Sequence, residues 1–319
     1  MSAPATTRAS LFGGLDPATY RPHSIHTGER TYIETNCYTD ILVELLHARG
    51  DEPLAAMGFL VRMDFEGDQW TFFKPPPEDL EILFGVDVHE MQPYRPLPAQ
   101  VAEQLSAGRT MTIEVDSWHL PDTAATSYRR EHVKTSLIPE TIDLEGEVLR
   151  YFHNAGFYEL SGEDFRGVFQ VGALPPYVEL IRFDAGPRLQ DGELRDAALE
   201  LLRRHLERRP ATNPFERFGE QLSVALPELL EGEAADYHAY AFATVRMAGS
   251  AFEISASHLD WLLGEQASAT VESFRRIVEG SKMLSLKLAR RRDFDTGPAI
   301  AALAGAWDEG MAALDARTP

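Results

Sequence analysis

The sequence predicts an α+β domain followed by an all-helical domain. The chain has 319 residues, more than one hydrophobic core usually serves, and this length favours two domains. Its first half mixes short strand-like segments with amphipathic helical ones, as α+β domains do. From about residue 190 every longer segment has helical composition and spacing, with Gly and Pro between segments. We therefore expect an α+β domain over 1–186 and a helical bundle over 187–319.

The first predicted helix follows Cys37 and stops at Gly50, a usual helix terminator. Its apolar side chains recur at the spacing of one buried helical stripe, at Tyr38, Ile41, Leu42, Leu45 and Leu46. Aromatic and apolar residues over 57–74 then predict two strands joined by a turn at 66–68. A proline-led segment after them predicts a short helix that ends at Gly85.

The rest of the first half predicts alternating helices and strands. The predicted elements are a helix over 98–107, a strand over 110–116, a hairpin of strands 132–142 and 148–156 around a turn at 143–147, a helix with Ser161 as its cap and Asp164 three residues later, and a strand over 175–184. The helical segments of the second half are 191–209, 214–230, 235–264, 268–292 and 298–315.

Composition and charge exclude several classes of protein. With 44% hydrophobic and 25% charged residues and no apolar run near the ~20 residues of a membrane span, we expect a soluble protein without a membrane segment. The start lacks a basic leader with an apolar core, so we expect no export and a cytoplasmic location. A net charge of −20 opposes binding to nucleic acid. Basic stretches at 128–134, 203–209 and 287–292 would serve only a phosphate group or an acidic partner.

The lone cysteine, Cys37, is either a small buried hydrophobe or a nucleophile. It forms no internal disulfide, which fits a reducing compartment. Thr35 and Asn36 are good capping residues, so Cys37 should lie in the first turn of its helix, where the helix dipole lowers a thiol pKa. Free N–H groups there could hold an oxyanion. Free cysteines are also among the most buried residues, so packing alone stays an alternative.

Later polar residues offer a base and an orienting group for this thiol. His132 opens one strand of the predicted hairpin and Asn154 follows the other, so the two lie toward the same open end. A Cys at a helix start, followed by His and Asn on later strands, is the order of papain-like thiol enzymes. In that order the imidazole takes the thiol proton and the Asn fixes the ring tautomer.

Other residues compete for these roles. His119 is a second candidate base, and Asp116 or Asp143 a second candidate orienting group. His153 should point to the sheet face opposite Asn154 if the strand is regular. A metal site built on the histidines lacks tight ligand spacing, so we expect no metal.

Several long motifs carry a family resemblance. "ETNCYTD", "FEGDQWTFFKPPPEDLE", "YFHNAGFYELSGEDF", "LPPYVE", "HAYAFAT" and "AWDEGMAAL" closely resemble the bacterial family called domain of unknown function 1839. More distantly, "NC" before a helix, "VDSWHLPDTAATSYRREH" and a hairpin ending in "HN" are similar to the N-terminal domain of butirosin-biosynthesis protein H, a papain-like acyltransferase. Asp116, Leu120, Pro121, Tyr128 and His132 match its pattern, whereas Asn154 stands in place of an acid.

The distant resemblance implies a reaction. Cys37 would take an acyl or aminoacyl group from a carrier-protein thioester, presented on phosphopantetheine with no bound cofactor, and pass it to a small-molecule or amino-acid-like amine activated by His132. Position 31 is Thr, where papain-like proteases use Gln in the oxyanion hole, so Asn36 or Glu34 would assist the Cys37 N–H.

The carrier, itself usually acidic, would dock on Arg129 and Arg130. Two alternatives to the acyltransferase remain open. A thiol hydrolase or amidase would use the same three residues with water as the acceptor, and a catalytically inactive papain-like scaffold would bind a partner protein through its helical half.

Overall fold

The computed structural model describes residues 7–28, 30–169 and 176–317. The chain divides into two compact units. The first comprises Met1–Thr27, Asn36–Pro53 and Pro76–Leu189, and the second comprises Gly28–Thr35, Leu54–Pro75 and Gln190–Pro319. Across the ranges described, no helix is both long and apolar enough to cross a membrane.

The first unit combines strands with short helices. Its strands are β1 (Arg8–Ser10), β2 (Asp87–Met91), β3 (Thr110–Asp116), β4 (Lys134–Asp143), β5 (Val148–His153), β6 (Gly156–Ser161) and β7 (Val178–Arg182). Its helices are α1 (Cys37–Arg49), α2 (Pro77–Phe84), α3 (Leu97–Ser106) and α4 (Glu163–Val168). Both α1 and α2 end at a glycine in the left-handed conformation, Gly50 and Gly85, as the sequence predicts.

The strands form one antiparallel sheet in the order β2-β7-β3-β4-β5-β6, with β1 also paired to β4. Side chains alternate between the two faces of such a sheet. One face of the first unit packs residues such as Leu137 and Tyr151 against Val101 of α3 and Phe165 of α4. Helix α1 packs against β4 and β5. Because Cys37 contacts Ser136, the neighbour of Leu137 on β4, α1 covers the opposite face.

The second unit is helical. Its helices are α5 (Asp191–Leu206), α6 (Pro214–Glu231), α7 (Ala234–Ala241), α8 (Met247–Leu263), α9 (Ser268–Ala289) and α10 (Gly297–Asp315), with a π-helical turn at Phe242–Arg246 between α7 and α8. Helix α9 packs extensively on both α8 and α10. The mixed α/β first half and the helical second half agree with the sequence prediction.

Two local predictions are wrong. Residues 57–74 do not form two strands, because Pro53–Arg62 is a 3-10 helix and only an isolated bridge, Phe65 to Trp70, spans the predicted turn. The reason is long-range packing: the Trp70 ring lies 4.7 Å from the Phe215 ring of α6. Ser161 does not cap α4 either. It ends β6, and Gly162 precedes the helix with φ 58° and no side-chain cap. The predicted strand 175–184 is observed at Val178–Arg182, and residue 175 lies outside the described ranges.

Candidate functional site

Cys37 is the first residue of α1, and Asn36 is its cap. Asn36 has an extended backbone, and its side-chain oxygen accepts the N–H groups of Tyr38 and Thr39 at 3.1 and 2.9 Å. The Asn36 carbonyl accepts the N–H of Asp40 at 3.1 Å. The N–H groups of Tyr38 and Thr39, which the sequence analysis expected to be free to bind an oxyanion, are therefore already bonded to the cap. In the described part of the chain, no acceptor is seen for the Cys37 N–H.

The Cys37 thiol is half-buried beside β4. Its Sγ lies 4.0 Å from Oγ of Ser136, a serine buried on β4 opposite Glu114 of β3. Within the ranges the structure describes, the sulfur has no hydrogen bond to His132 or Asn154. The nucleophile and the base expected from the sequence are thus both on the first unit but are not bonded to each other.

His132 lies two residues before β4 and pairs with a carboxylate. Its Nδ1 is 2.5 Å from Oδ2 of Asp116, the last residue of β3. The ring stacks on Trp118 at 4.6 Å between centroids and 9° between planes, and the His132 side chain is 72% exposed. Burial raises the pKa of Asp116, but hydrogen bonds from His132 and the Trp118 N–H outweigh this and lower it. Asp116, one of the alternatives the sequence left open, therefore orients His132 and leaves Nε2 exposed.

The sulfur and the His132–Asp116 pair lie on one face of the sheet. Ser136 pairs with Glu114, and two residues along the strands Lys134 pairs with Asp116. Residues directly opposite or two apart share a face, and the 2.7 Å bond from Lys134 Nζ to Glu114 shows this. Two residues of strand span about 7 Å, which is the spacing between these two pairs.

The other expected site residues lie elsewhere. Asn154 is in the tight turn between β5 and β6 with φ 45°, and no hydrogen bond joins it to His132 within the described residues. His119 follows β3, with Nδ1 3.9 Å from Asp164 of α4. Glu34 belongs to the second unit, where its carbonyl accepts from Arg246. An ionised Glu34 side chain has no donor to offer an oxyanion.

Two models of one protein family match most of the chain. Residues 21–183 match the model of the DUF1839 N-terminal domain, and residues 191–316 match that of the DUF1839 C-terminal domain. The chain belongs to the DUF1839 family. No curated protein matches it.

The two arginines expected to dock a carrier differ in this DUF1839 protein. Arg129 donates to Asp164 at 2.6 Å and to Glu163 at 3.4 Å, so α4 neutralises its charge. Arg130 contacts the Ala125 carbonyl at 3.3 Å and is exposed. Of these two arginines, Arg130 is the exposed one and Arg129 is half-buried.

Sequence reasoning did not identify two features of the first unit. Ser136, which contacts the thiol, could have been found from the strand alternation that puts residues 132, 134 and 136 on one face. The second feature is a buried network on the opposite face. There His153 Nδ1 lies 2.5 Å from Asp122, and its Nε2 lies 2.8 Å from the Thr135 hydroxyl. His153 therefore lies on the sheet face opposite the one that Cys37 contacts. Among the described residues, no cluster of His, Cys, Asp and Glu could hold a metal ion.

Proposed function

We propose that this protein is a cysteine-dependent acyltransferase that moves an acyl or aminoacyl group from a carrier-protein thioester to an amine. We also propose that its α+β unit is a papain-like domain. One observation carries the proposal: the Cys37 thiol begins a capped helix on the same sheet face as a His132–Asp116 pair. A reactive thiol, a free N–H and an oriented imidazole are the groups that acyl transfer needs.

The first step is thioester exchange at Cys37. The Cys37 thiol lies at the start of α1 with its Sγ 4.0 Å from the Ser136 hydroxyl, and it first gives its proton to solvent. The thiolate attacks the thioester carbonyl, whose oxygen gains charge toward the Cys37 N–H. The bond to the pantetheine sulfur then breaks, and that sulfur leaves as a thiolate and takes a proton from solvent. Cys37 now carries the acyl group.

The second step uses His132 on the acceptor. Ser136, which the thiol contacts, and Asp116, which bonds His132, belong to residue pairs about 7 Å apart along the strands, and the proposed acceptor binds between the thiol and the imidazole. As the amine nitrogen attacks the Cys37 thioester, Nε2 of His132 takes a proton from it, and Cys37 leaves as the thiolate. Asp116 and Trp118 hold the ring for this step. This role for His132 explains why it need not contact the sulfur in the resting protein.

The proposal also names the donor and the acceptor. The acyl group arrives on the phosphopantetheine of a carrier protein, so no resident cofactor is needed, and Arg130 is the exposed cation beside His132 in sequence. The acceptor is a small-molecule or amino-acid-like amine. With water as the acceptor, the same residues would make a thiol hydrolase or amidase.

A second candidate is a catalytically inactive scaffold that binds a partner protein. The observation that favours it is the hydroxyl of Ser136 beside the sulfur, where an active thiol enzyme would place a nitrogen base.

Intact-mass spectrometry tests these candidates. The protein is incubated with acetyl- and glycyl-N-acetylcysteamine and with acyl-loaded carrier protein, and we expect one added acyl group that Cys37→Ala abolishes. His132→Gln should keep the adduct but slow transfer to an added amine by about 10²–10⁴-fold, the usual contribution of a general base. His89→Gln is the matched control, since His89 is another exposed histidine that faces a carboxylate, at 3.0 Å from Asp87.

Each outcome separates the candidates. If no adduct depends on Cys37, both enzymes are excluded and the scaffold remains. If the adduct decays in water as fast as it does with amine, the protein is a hydrolase. If His132→Gln abolishes the adduct itself, the imidazole acts on the thiol and the division of roles proposed above is wrong.

A further inference from the structure

The last turns of α9 and the residue that follows them, Arg290, carry an exposed surface that the proposed chemistry does not use. Lys282, Met283, Leu286, Lys287 and Arg290 are all exposed there, and we call them the basic α9 face. Residues 283, 286, 287 and 290 follow the i, i+3, i+4, i+7 spacing of one helix face. The intervening Leu284 and Leu288 are buried in the helical unit, which fixes the orientation of α9. The face is therefore a defined surface rather than a loose tail.

The charge of this segment is opposite to that of the rest of the chain. Residues 282–292 contain five Lys or Arg and no carboxylate, so they contribute +5 to a net charge of −20 and leave −25 on the remainder. Within the ranges described, Lys287 and Arg290 have no carboxylate partner. Lys282 lies 3.9 Å from Glu279, its one carboxylate contact in that part of the chain. An acidic macromolecule is repelled by most of this protein and attracted here.

Helix stability explains part of this pattern and leaves part unexplained. Cations near a helix C-terminus interact favourably with the helix dipole, which accounts for Lys287 and Arg290. The dipole does not account for Met283 and Leu286, which are 53% and 52% exposed although both are large apolar side chains. Apolar side chains with a basic rim are the composition of a protein-binding surface.

We propose that the basic α9 face docks the carrier protein of the proposed reaction, through a partner helix that is acidic and apolar. The inference rests on the proposed function for the identity of the partner. Met283 and Leu286 would contact the apolar side chains of that helix, while Lys287 and Arg290 pair with its carboxylates. An apolar centre distinguishes this partner from a nucleic acid, whose backbone presents only phosphates to the cations.

Fluorescence anisotropy with a labelled holo acyl carrier protein tests the docking. Lys287→Glu/Arg290→Glu should weaken binding at low salt by about tenfold or more, because two attractions become repulsions. Leu286→Ser should weaken it without changing its salt dependence. The matched control is Arg203→Glu/Arg204→Glu on α5, an equal charge change at exposed arginines whose carboxylate partner among the described residues is Glu200. We expect the control to bind within twofold of the wild type.

The outcomes distinguish this inference from the proposed function. Equal losses in both double variants, or no binding by the wild type at 100 µM carrier (roughly the weak end of transient complexes), overturn the docking surface. Binding of anionic vesicles or duplex DNA that is lost only in the α9 variant, with the carrier unbound, also overturns it. Acyl transfer from N-acetylcysteamine thioesters without carrier binding leaves the proposed chemistry intact and refutes the docking. Carrier binding without any Cys37 adduct supports the docking surface and refutes the proposed chemistry.

Discussion

Asp122→Ala tests how the loop that carries His132 is held. Asp122 lies between β3 and β4, and its carboxylate is 96% buried. One oxygen lies 2.5 Å from Nδ1 of His153 and the other accepts the Tyr151 hydroxyl at 2.5 Å. The Thr135 hydroxyl completes the network at Nε2 of His153. The network thus ties the loop to β4 and β5 on the sheet face opposite Cys37.

The expected loss follows from the groups left behind. Removing the carboxylate leaves the His153 N–H and the Tyr151 hydroxyl buried without acceptors, at about 1–3 kcal/mol each. The two orphaned donors together predict a loss of about 2–6 kcal/mol in the free energy of unfolding of the first unit. Tyr151→Phe removes the donor with its bond and should cost only about 1 kcal/mol. When Asp122→Ala and Tyr151→Phe are combined, the two losses should be less than additive, because the Tyr151 hydroxyl that Asp122→Ala leaves without an acceptor is no longer present.

Urea denaturation followed by 5-fluorotryptophan NMR is the suitable assay. Trp118 is the single tryptophan of the first unit, so its resonance reports this unit separately from the helical one. Asp184→Ala is the control, since Asp184 is exposed and its ion pair among the described residues is a 3.9 Å contact with Arg182. A loss for Asp122→Ala no larger than the control's, within about 0.5 kcal/mol, would refute the claim that the network anchors the loop.

Three further predictions concern stability. Burial lowers the pKa of His26, but its bonds to two buried carboxylates outweigh this effect and raise the pKa to about 9. The charged His26 therefore stabilises the folded protein fully below about pH 6.5, and this stabilisation is lost as pH rises through 9. We expect the free energy of unfolding to fall by about 3 kcal/mol over that range in urea titrations, and His26→Gln to remove the dependence. Gly167→Ala should cost about 1–3 kcal/mol in thermal unfolding, because the new methyl would collide with the His119 ring, whereas Gly305→Ala on α10 meets nothing and should stabilise by about 0.4–1 kcal/mol. Asn36→Ala should cost about 1 kcal/mol through loss of the α1 cap, measured by urea unfolding.

Opposite results would contradict each of these. A flat pH profile in the wild type would show that His26 is not charged between its carboxylates. Equal effects of the two glycine substitutions would mean that close packing against His119 does not restrict position 167. An Asn36→Ala variant as stable as the wild type would show that water replaces the cap.

Local sequence signals predicted the elements whose causes are local. Apolar spacing and terminating glycines located α1 and α2, and strand alternation with a polar turn located β4 and β5. The segment 57–74 failed for the opposite reason. Its apolar and aromatic residues fit a strand or a buried helix equally, and contacts with α6, more than a hundred residues away, decide between them.

The candidate site also has features that the sequence predicted and features that depend on distant contacts. The sequence identified a helix-capped thiol at Cys37 and a histidine at the entrance to β4, since both depend on neighbours in the chain. It left the orienting group open between Asn154 and acids such as Asp116. Strand register and the loop after β3 decide that question, and neither is encoded in the spacing of residues.

The sequence by itself therefore determined the fold class, the family, the helix that presents Cys37 and the excess of acidic charge. Periodicity and capping depend on residues that are close together in the sequence, and composition depends on no contacts at all, so all three can be read without knowledge of the fold. The tertiary structure decided that Asp116 holds His132, that Ser136 lies beside the thiol, and that segments 28–35 and 54–75 join the helical unit. Each of these features depends on contacts between distant parts of the chain. Burial of apolar groups and pairing of polar groups across the sheet determine which of those contacts form.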